Sequence, residues 1–424
     1  MHDNVKAIVE YFKSGIKPAG EPGRLGVELE HIVVGPHKAP VAYGDVHGIA
    51  WLLEQLKADY PQTSFGDDGA LIGVSGGNKA VTLEPAAQLE LSAGPYEDGE
   101  EARADFTSFQ HEVIELIDPF GLMLVEVGYH PSAKAEDLPL IPKERYRYMD
   151  EHFAKIGPYG RCMMRGSAST QVSIDYFSVE DCLRKLRLAT AAAPLFALIC
   201  DNTPTFEGEP SPHHMMRTKI WRECDPARCN AVPGVLSKDF TLEQYAEYIL
   251  DTPAIFYYDE EGIAHPSEQT FGEIFADRAM SQSDVEHALS MFFNDVRCKT
   301  YVEIRPADAL PLVYVAAYTT LVKALFYFDE SLDFLDELFA DVDEAAVEDA
   351  KTELMAHGYD AQVYGKPAGE LVDALFKQAH EAMPPGEAML LNPLEQLTRQ
   401  RKTLAMMGKR REGIKKTDAR FAGY

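Results

Sequence analysis

Six cysteines in 424 residues are too few for a disulfide scaffold. The closest pair, Cys224 and Cys229, has no second pair or histidine cluster beside it, which excludes a zinc-finger-like site and predicts free thiols. Positive charge is also scarce: 40 Lys and Arg stand against 68 Asp and Glu, for a formal net charge of −28. That balance argues against nucleic acid or an anionic membrane as partner, because both need clustered Lys and Arg. Long apolar runs are missing too. The stretches Leu188–Cys200 and Leu310–Phe328 are broken by Pro194, Pro311 and Lys323, so buried helices are expected there and not membrane spans. The opening MHDNVKAIVEYFKSG lacks the basic-then-apolar pattern of a signal sequence, and the expected location is the cytoplasm. No P-loop occurs, and no nucleophile elbow, HExxH pair or dinucleotide fingerprint stands out; the Gly-rich GVSGGNK at Gly73–Lys79 reads as a hairpin turn.

What is present is an ordinary globular composition, 46% hydrophobic and 25% charged. Residues 2–14 carry Val5, Ile8, Val9 and Phe12 at helical spacing, and RLGVELEHIVV predicts a strand from Arg24 to Val34. A helix is expected over Val46–Tyr60, a hairpin in the Gly-rich stretch Gly66–Gly77, and a strand pair hinged at Pro85. Further helices are expected over Asp98–Asp118 and Val179–Leu198, and further strands in GLMLVEVGYHP, in MMRGSASTQVSIDYFS and in TYVEIRPAD, the last stopped by Pro306. Hairpin-like strands mixed with helices, without a regular βαβ repeat, predict an α+β fold with a mainly antiparallel cupped sheet flanked by helices. The expected organisation is a catalytic core over residues 1–328 and a helical C-terminal extension over 329–424. That extension ends in a basic tail (Lys409, Arg410, Arg411, Lys415, Lys416) that either reaches phosphates or is solvated.

Residues two apart in a strand share a face. This rule groups Glu28 with Glu30, Gln88 with Glu90 and Ser92, Gln171 with Ser173 and Asp175, and Tyr301 with Glu303 and Arg305; Glu84 precedes the Pro85 bend. A single polar strand face usually meets water. Four such faces together are harder to assign to solvent: carboxylates paired at i and i+2, as Glu28 and Glu30 are, repel unless a cation sits between them, and hard cations such as Mg²⁺ take oxygen ligands alongside substrate phosphates. Arg305 next to Glu303 suits a phosphoryl group whose charge grows during transfer.

The same segments carry a resemblance. GVELEH (Gly26–His31), LEPAAQLELSAGP (Leu83–Pro95), DLPLIPKERYRYM (Asp137–Met149), TQVSIDY (Thr170–Tyr176), NTPTFEG (Asn202–Gly208), MRTKIW (Met216–Trp221) and YVEIRPAD (Tyr301–Asp308) follow one another in order. Together they resemble the plant and proteobacterial glutamate–cysteine ligases, whose fold is related to that of glutamine synthetase. The resemblance implies a glutamine synthetase-like core, an ATP- and Mg²⁺-dependent ligase, and γ-glutamylcysteine made through a γ-glutamyl phosphate as the first step of glutathione biosynthesis. It implies small-molecule substrates (glutamate, cysteine and ATP) and a monomer or homodimer.

Carried over by position, the resemblance makes Glu28, Glu30, Glu84, Glu90 and Glu303 the metal ligands and puts Gln171 beside the metal–phosphate cluster. It gives Arg305 the transferred phosphoryl group and Arg217 a substrate carboxylate. Lys143, Arg145 and Tyr146 are further candidates for substrate or nucleotide contacts. Glu84 also suits a cap on the Pro85 turn, and Trp221 and Tyr146 also suit core packing. His31 alternates away from Glu30 and is structural. Two departures stand out. The family's DVPMYFAYR-like segment near the acceptor amino acid reads DTPAIFYYD here (Asp251–Asp259), which keeps open a related ligase that couples glutamate to another amine. Arg165 stands one position off the family pattern and is left outside the site. A non-catalytic binding descendant is the remaining alternative, opposed by the joint presence of the glutamates and Arg305.

Overall fold

Alternation of apolar and acidic residues from Val27 to Glu30, within the strand Leu25–Val34, sets the two faces of the central sheet. Leu25, Val27 and Leu29 are buried on one side, and Glu28 and Glu30 take the other. In this computed structural model, which describes residues 2–66, 68–259 and 261–412, that segment is β1. The sheet continues with β2 Gln62–Phe65, β3 Leu71–Gly76, β4 Lys79–Leu83, β5 Leu89–Tyr96, β6 Met123–Val125, β7 Ser169–Ile174, β8 Val296–Cys298 and β9 Val302–Asp308. Its order is β8-β9-β7-β1-β5-β4-β3-β2, with β6 beside the far end of β1. All its pairings are antiparallel, as the mixed hairpin pattern predicts.

The apolar face packs against the helices Gly99–Ile117, Val179–Ile199 and Leu312–Phe326. The first begins where the Asp98 carboxylate accepts the N–H groups of Glu100 and Glu101, both at 2.9 Å. The other two hold the apolar stretches of the sequence and are buried along most of their length. Among the described residues no single helix is long and apolar enough to cross a membrane; only Leu312–Phe326 taken with Asp329–Leu338 is, and that pair bends by 87°.

Three expectations need correction. The helix read over Val46–Tyr60 spans only Ile49–Leu56, because His47 takes a positive φ of 57° and the N–H groups of Ala58 and Asp59 reach back only three residues, to the carbonyls of Gln55 and Leu56. The strand read in Gly121–Pro131 is three residues long. Pro306 does not stop β9, which runs on to Asp308. The ladder to β7 is irregular between Ile304 and Ala307, and there the missing N–H of proline breaks no pairing.

The six cysteines are buried and free. Residues 329–412 are mostly helical, and Leu332, Leu335, Leu371 and Leu375 join the same hydrophobic core as the sheet. Lys415 and Lys416 lie outside the described residues, as do the side chains of Lys409, Arg410 and Arg411. Over the polar face of the sheet lie the helix Glu144–Ile156, a wide π-helical turn at Cys162–Gly166, the helix Met216–Arg222 and the turn after the helix Gln282–Leu289.

Candidate active site

Strand register brings the predicted residues together. Glu28 on β1 stands opposite Gln171 on β7 and Ser92 on β5; Glu30 stands opposite Glu90; Glu303 on β9 stands opposite Ser173 on β7 and Arg297 on β8. Directly opposed residues share a sheet face, so the polar sets of five strands form one floor. Above it is a cavity of about 200 Å³ lined by Glu28, Glu30, Glu84, Glu90, Gln171, Arg217, Arg297, Lys299 and Arg305, with Arg145, Tyr146, Trp221, Ser290 and Phe293 in its walls.

The floor changes sign along the strand order. Arg297, Lys299 and Arg305 lie at the β8–β9 side, Gln171 on β7 in the middle, and Glu28, Glu30, Glu90 and Glu84 on β1, β5 and the β4–β5 turn. On the acidic side, withdrawal from bulk water, with Glu90 and Glu303 adding, pushes Glu28 up to about 8. Burial lifts Glu30 to about 7 against Arg217 and the Ser169 hydroxyl, and lifts Glu84 to about 7, with Glu30 adding and Lys143 and Arg145 opposing. Glu90 is raised by burial and by Glu84. The Ser169 hydroxyl donates to Glu30 Oε1 at 2.6 Å and its N–H to Oε2 at 3.0 Å; Thr82 and Ser92 hydroxyls donate to Glu90 at 2.8 and 2.9 Å.

Glu303 has a different surrounding. It is fully buried, yet Arg297, Lys299 and Arg305 overcome that burial and hold it well below the usual carboxylate range. Arg305 Nη1 bridges Glu303 Oε2, at 3.0 Å, and Gln171 Oε1. The Arg217 guanidinium lies 3.7 Å over the Trp221 ring, and Arg217 Nε donates to the Arg305 carbonyl at 3.3 Å. Arg217 Nη1 and Arg305 Nε are buried donors with no acceptor among the described residues, which marks them for a ligand's oxygens.

Most of the sequence-predicted residues line this cavity, and two do not: Glu303 is buried among Arg297, Lys299 and Arg305, and Lys143 stands apart. Lys143 lies off the cavity, with its Nζ 4.6 Å from the Tyr146 ring centre, and lines a neighbouring groove with Leu140, Pro142 and Arg147. Tyr146 lines the cavity with its hydroxyl tied to the Leu83 carbonyl at 3.0 Å. Glu84 does not cap the Pro85 turn: the Gln88 side chain does, accepting the Ala86 N–H at 2.9 Å, and the Glu84 carboxylate is left to the cavity. Trp221 forms part of the cavity wall besides packing beneath Arg217. His31 is buried and structural, Nδ1 at 3.2 Å from the Leu89 carbonyl. Arg165 is taken up by Asp150, Nε to Oδ1 at 2.7 Å, and by the Leu138 carbonyl. Ala254 and Ile255, in the departing segment, line a separate groove on the far side of the helix Glu144–Ile156, with Tyr148, His152 and Lys155.

Arg297 and Lys299 were missed by the sequence reading. The signal was available: 297, 299, 301, 303 and 305 are charged or aromatic at every second position across one tight hairpin. Ser290 carried no such signal.

A chloroplastic glutamate–cysteine ligase of Arabidopsis thaliana is 29% identical over 403 residues, covering 92% of this chain and 76% of that protein. The chloroplastic glutamate–cysteine ligase of Brassica juncea is 30% identical over 342 residues, covering 79% of this chain and 66% of that protein. In fold, the chain is similar to the glutamate–cysteine ligase of Francisella tularensis in complex with AMP, with a TM-score of 0.57 at 11% identity over 91% of this chain and 84% of the other. The sequence profile of glutamate-cysteine ligase family 2 (GCS2) matches residues 24–417, from before β1 to beyond the last described helix, and the chain belongs to that family.

Proposed function

We propose that this cavity joins the γ-carboxylate of glutamate to the amine of cysteine, with ATP and Mg²⁺, to give γ-glutamylcysteine. The observation that carries the reading is the change of sign across one floor. An acidic side suits a divalent cation, and a cationic side suits the anionic groups that react. In this reaction the glutamate carboxylate oxygen attacks the terminal phosphorus of ATP and ADP leaves. The amine nitrogen of cysteine then attacks the acyl carbon, phosphate departs with the carbon–oxygen bond, and the new amide loses one proton. A free carboxylate has no comparable leaving group, so positioning and charge neutralisation remain as the protein's tasks.

The donor set fits Mg²⁺. Glu28, Glu30, Glu84 and Glu90 offer only oxygen, and burial together with their mutual repulsion raises their proton affinity, which a bound cation would offset. Among the described residues no three His, Cys, Asp or Glu side chains converge as a ready-made site for one ion. Mg²⁺ is commonly held by one or two carboxylates and completed by substrate phosphates, which accords with glutamates spread around a cavity. Bound Mg²⁺ supplies charge neutralisation at the phosphate oxygens. Glu303, expected among the ligands, has its oxygens engaged by Arg297, Lys299 and Arg305, and in this reading it fixes those cations as well.

Arg305 and Lys299 face the transferred phosphoryl group, with the spare Arg305 Nε available to it. Arg217, clamped on Trp221, holds a substrate carboxylate through Nη1. The test is ADP release from purified protein with ATP, Mg²⁺ and glutamate, amines being added singly and products weighed by mass spectrometry. Cysteine-dependent release with γ-glutamylcysteine as product is the expected result. Release with another amine alone moves the function to a sister ligase, and silence with all amines rejects the reading.

A further inference from the structure

The segment Leu289–Phe293 lies outside the floor, yet it holds two of the cavity's cations. It follows the helix Gln282–Leu289, whose start is secured by a capping box between Ser281 and Asp284. Its backbone is tightly turned: the N–H groups of Ser290, Met291 and Phe292 reach the carbonyls of Glu286, Ala288 and Leu289 at 3.0, 3.0 and 3.2 Å. The Phe293 N–H reaches the Arg228 carbonyl at 2.8 Å. From one side, Arg297 Nη1 donates to the carbonyls of Leu289 at 3.2 Å and Phe292 at 2.7 Å. From the other, Arg145 Nη1 donates to Ser290 Oγ and Arg145 Nη2 to the Ser290 carbonyl, both at 2.8 Å.

The Ser290 hydroxyl is oriented for this contact. Its hydrogen goes to the His287 carbonyl at 2.5 Å, so its lone pairs are left to face the guanidinium. Without the clamp, Arg145 has an alternative partner in the same cavity. Glu84 is close enough for the two charges to act on each other, and a guanidinium free to swing would pair with it. Glutamate brings two carboxylates, and the one that does not react needs a cation away from the floor. A flexible arginine loses rotamer freedom on binding a carboxylate, whereas a clamped one has lost it beforehand.

We propose that Ser290 is a positioning residue that holds the Arg145 guanidinium ready for the non-reacting carboxylate of glutamate. This rests on the ligase reading above. The test is steady-state kinetics on the full chain with Ser290→Ala, Ser290→Thr and Arg145→Ala, singly and with Ser290→Ala combined with Arg145→Ala. Losing a hydrogen bond from a charged donor is expected to raise the KM for glutamate in Ser290→Ala by about tenfold. The KM for ATP and kcat stay within about twofold, on the argument that only ground-state holding is lost. Ser290→Thr keeps the hydroxyl and restores the KM, and Ser290→Ala adds nothing once Arg145 is gone. An unchanged glutamate KM, a fall in kcat alone, or additive effects in the double variant overturn the proposal. If Ser290→Ala does not fold, Ser290→Thr against Arg145→Ala decides: a Thr variant as impaired as Arg145→Ala overturns it. Wild-type protein with no turnover rejects the ligase reading on its own. Glutamate titrated calorimetrically then judges Ser290 separately: about tenfold weaker binding by Ser290→Ala supports the proposal, and equal or absent binding overturns it.

Discussion

Arg297 and Glu303 stand directly opposite each other on β8 and β9, and Arg297 Nε and Nη2 both close on one Glu303 oxygen at 2.7 Å. Neither residue has appreciable contact with bulk water: Glu303 is 0% exposed and Arg297 6%. Removing one partner of such a pair leaves a buried charge without its counter-ion.

Arg297→Ala is therefore expected to destabilise the protein by about 3 kcal/mol, the low end for a broken buried pair because Lys299 and Arg305 remain. Urea unfolding measures this; a midpoint equal to wild type would contradict it. Glu303→Gln leaves three cations facing a neutral amide and is expected to abolish turnover while far-ultraviolet circular dichroism stays unchanged.

Raised carboxylates give a pH signature. An acid whose folded pKa lies above its unfolded value binds more protons when folded, so stability falls as pH rises between the two. For Glu28, Glu30 and Glu84 that window runs from the ordinary 4.5 up to about 7–8. Metal-free protein is expected to lose thermal stability between about pH 5 and 8 through this cluster. Mg²⁺ competes with those protons, so it should raise Tm more at pH 8 than at pH 6. Equal Mg²⁺ shifts at both pH values would place the ion elsewhere.

Arg217→Lys removes the planar fork and its stacking on Trp221 while keeping the charge. The KM for glutamate or cysteine is expected to rise by roughly tenfold or more, because a lysine offers a point charge without the fixed second donor. A variant with both KM values unchanged would take Arg217 out of substrate binding.

Lys143 and Arg145 are two positions apart and are expected to differ sharply. Arg145 lines the cavity and Lys143 lines the groove beside it. Arg145→Ala should raise the glutamate KM at least as much as Ser290→Ala does, whereas Lys143→Ala should change it less than about threefold, as surface substitutions away from a site usually do. The reverse ranking would mean that the substrate lies in the Lys143 groove.

Much of the floor was legible in advance. Glu28 with Glu30, Glu90 with Ser92, and Glu303 with Arg305 share a face because strand geometry alone alternates side chains. The buried helices Val179–Ile199 and Leu312–Phe326 were likewise readable from apolar content. Pro306 misled because a strand tolerates proline where its ladder is already irregular, and irregularity is a property of the pair of strands. Ser290 was invisible because an isolated serine after a helix has no periodic signal; its meaning comes from an arginine on another helix.

The sequence by itself determined which residues share a face, which segments are apolar enough to be buried, and the ordered blocks that mark the family. These depend on neighbours one to four positions away, where bond geometry is decisive. Only the tertiary structure decided that β1 lies between β5 and β7, so that the floor runs from cations to carboxylates. It likewise decided that Glu303 is held by three cations, that Trp221 supports Arg217, and that Lys143 falls outside the cavity. Those relations join residues far apart in the chain, and they follow from which apolar faces pack together, a choice no local pattern contains.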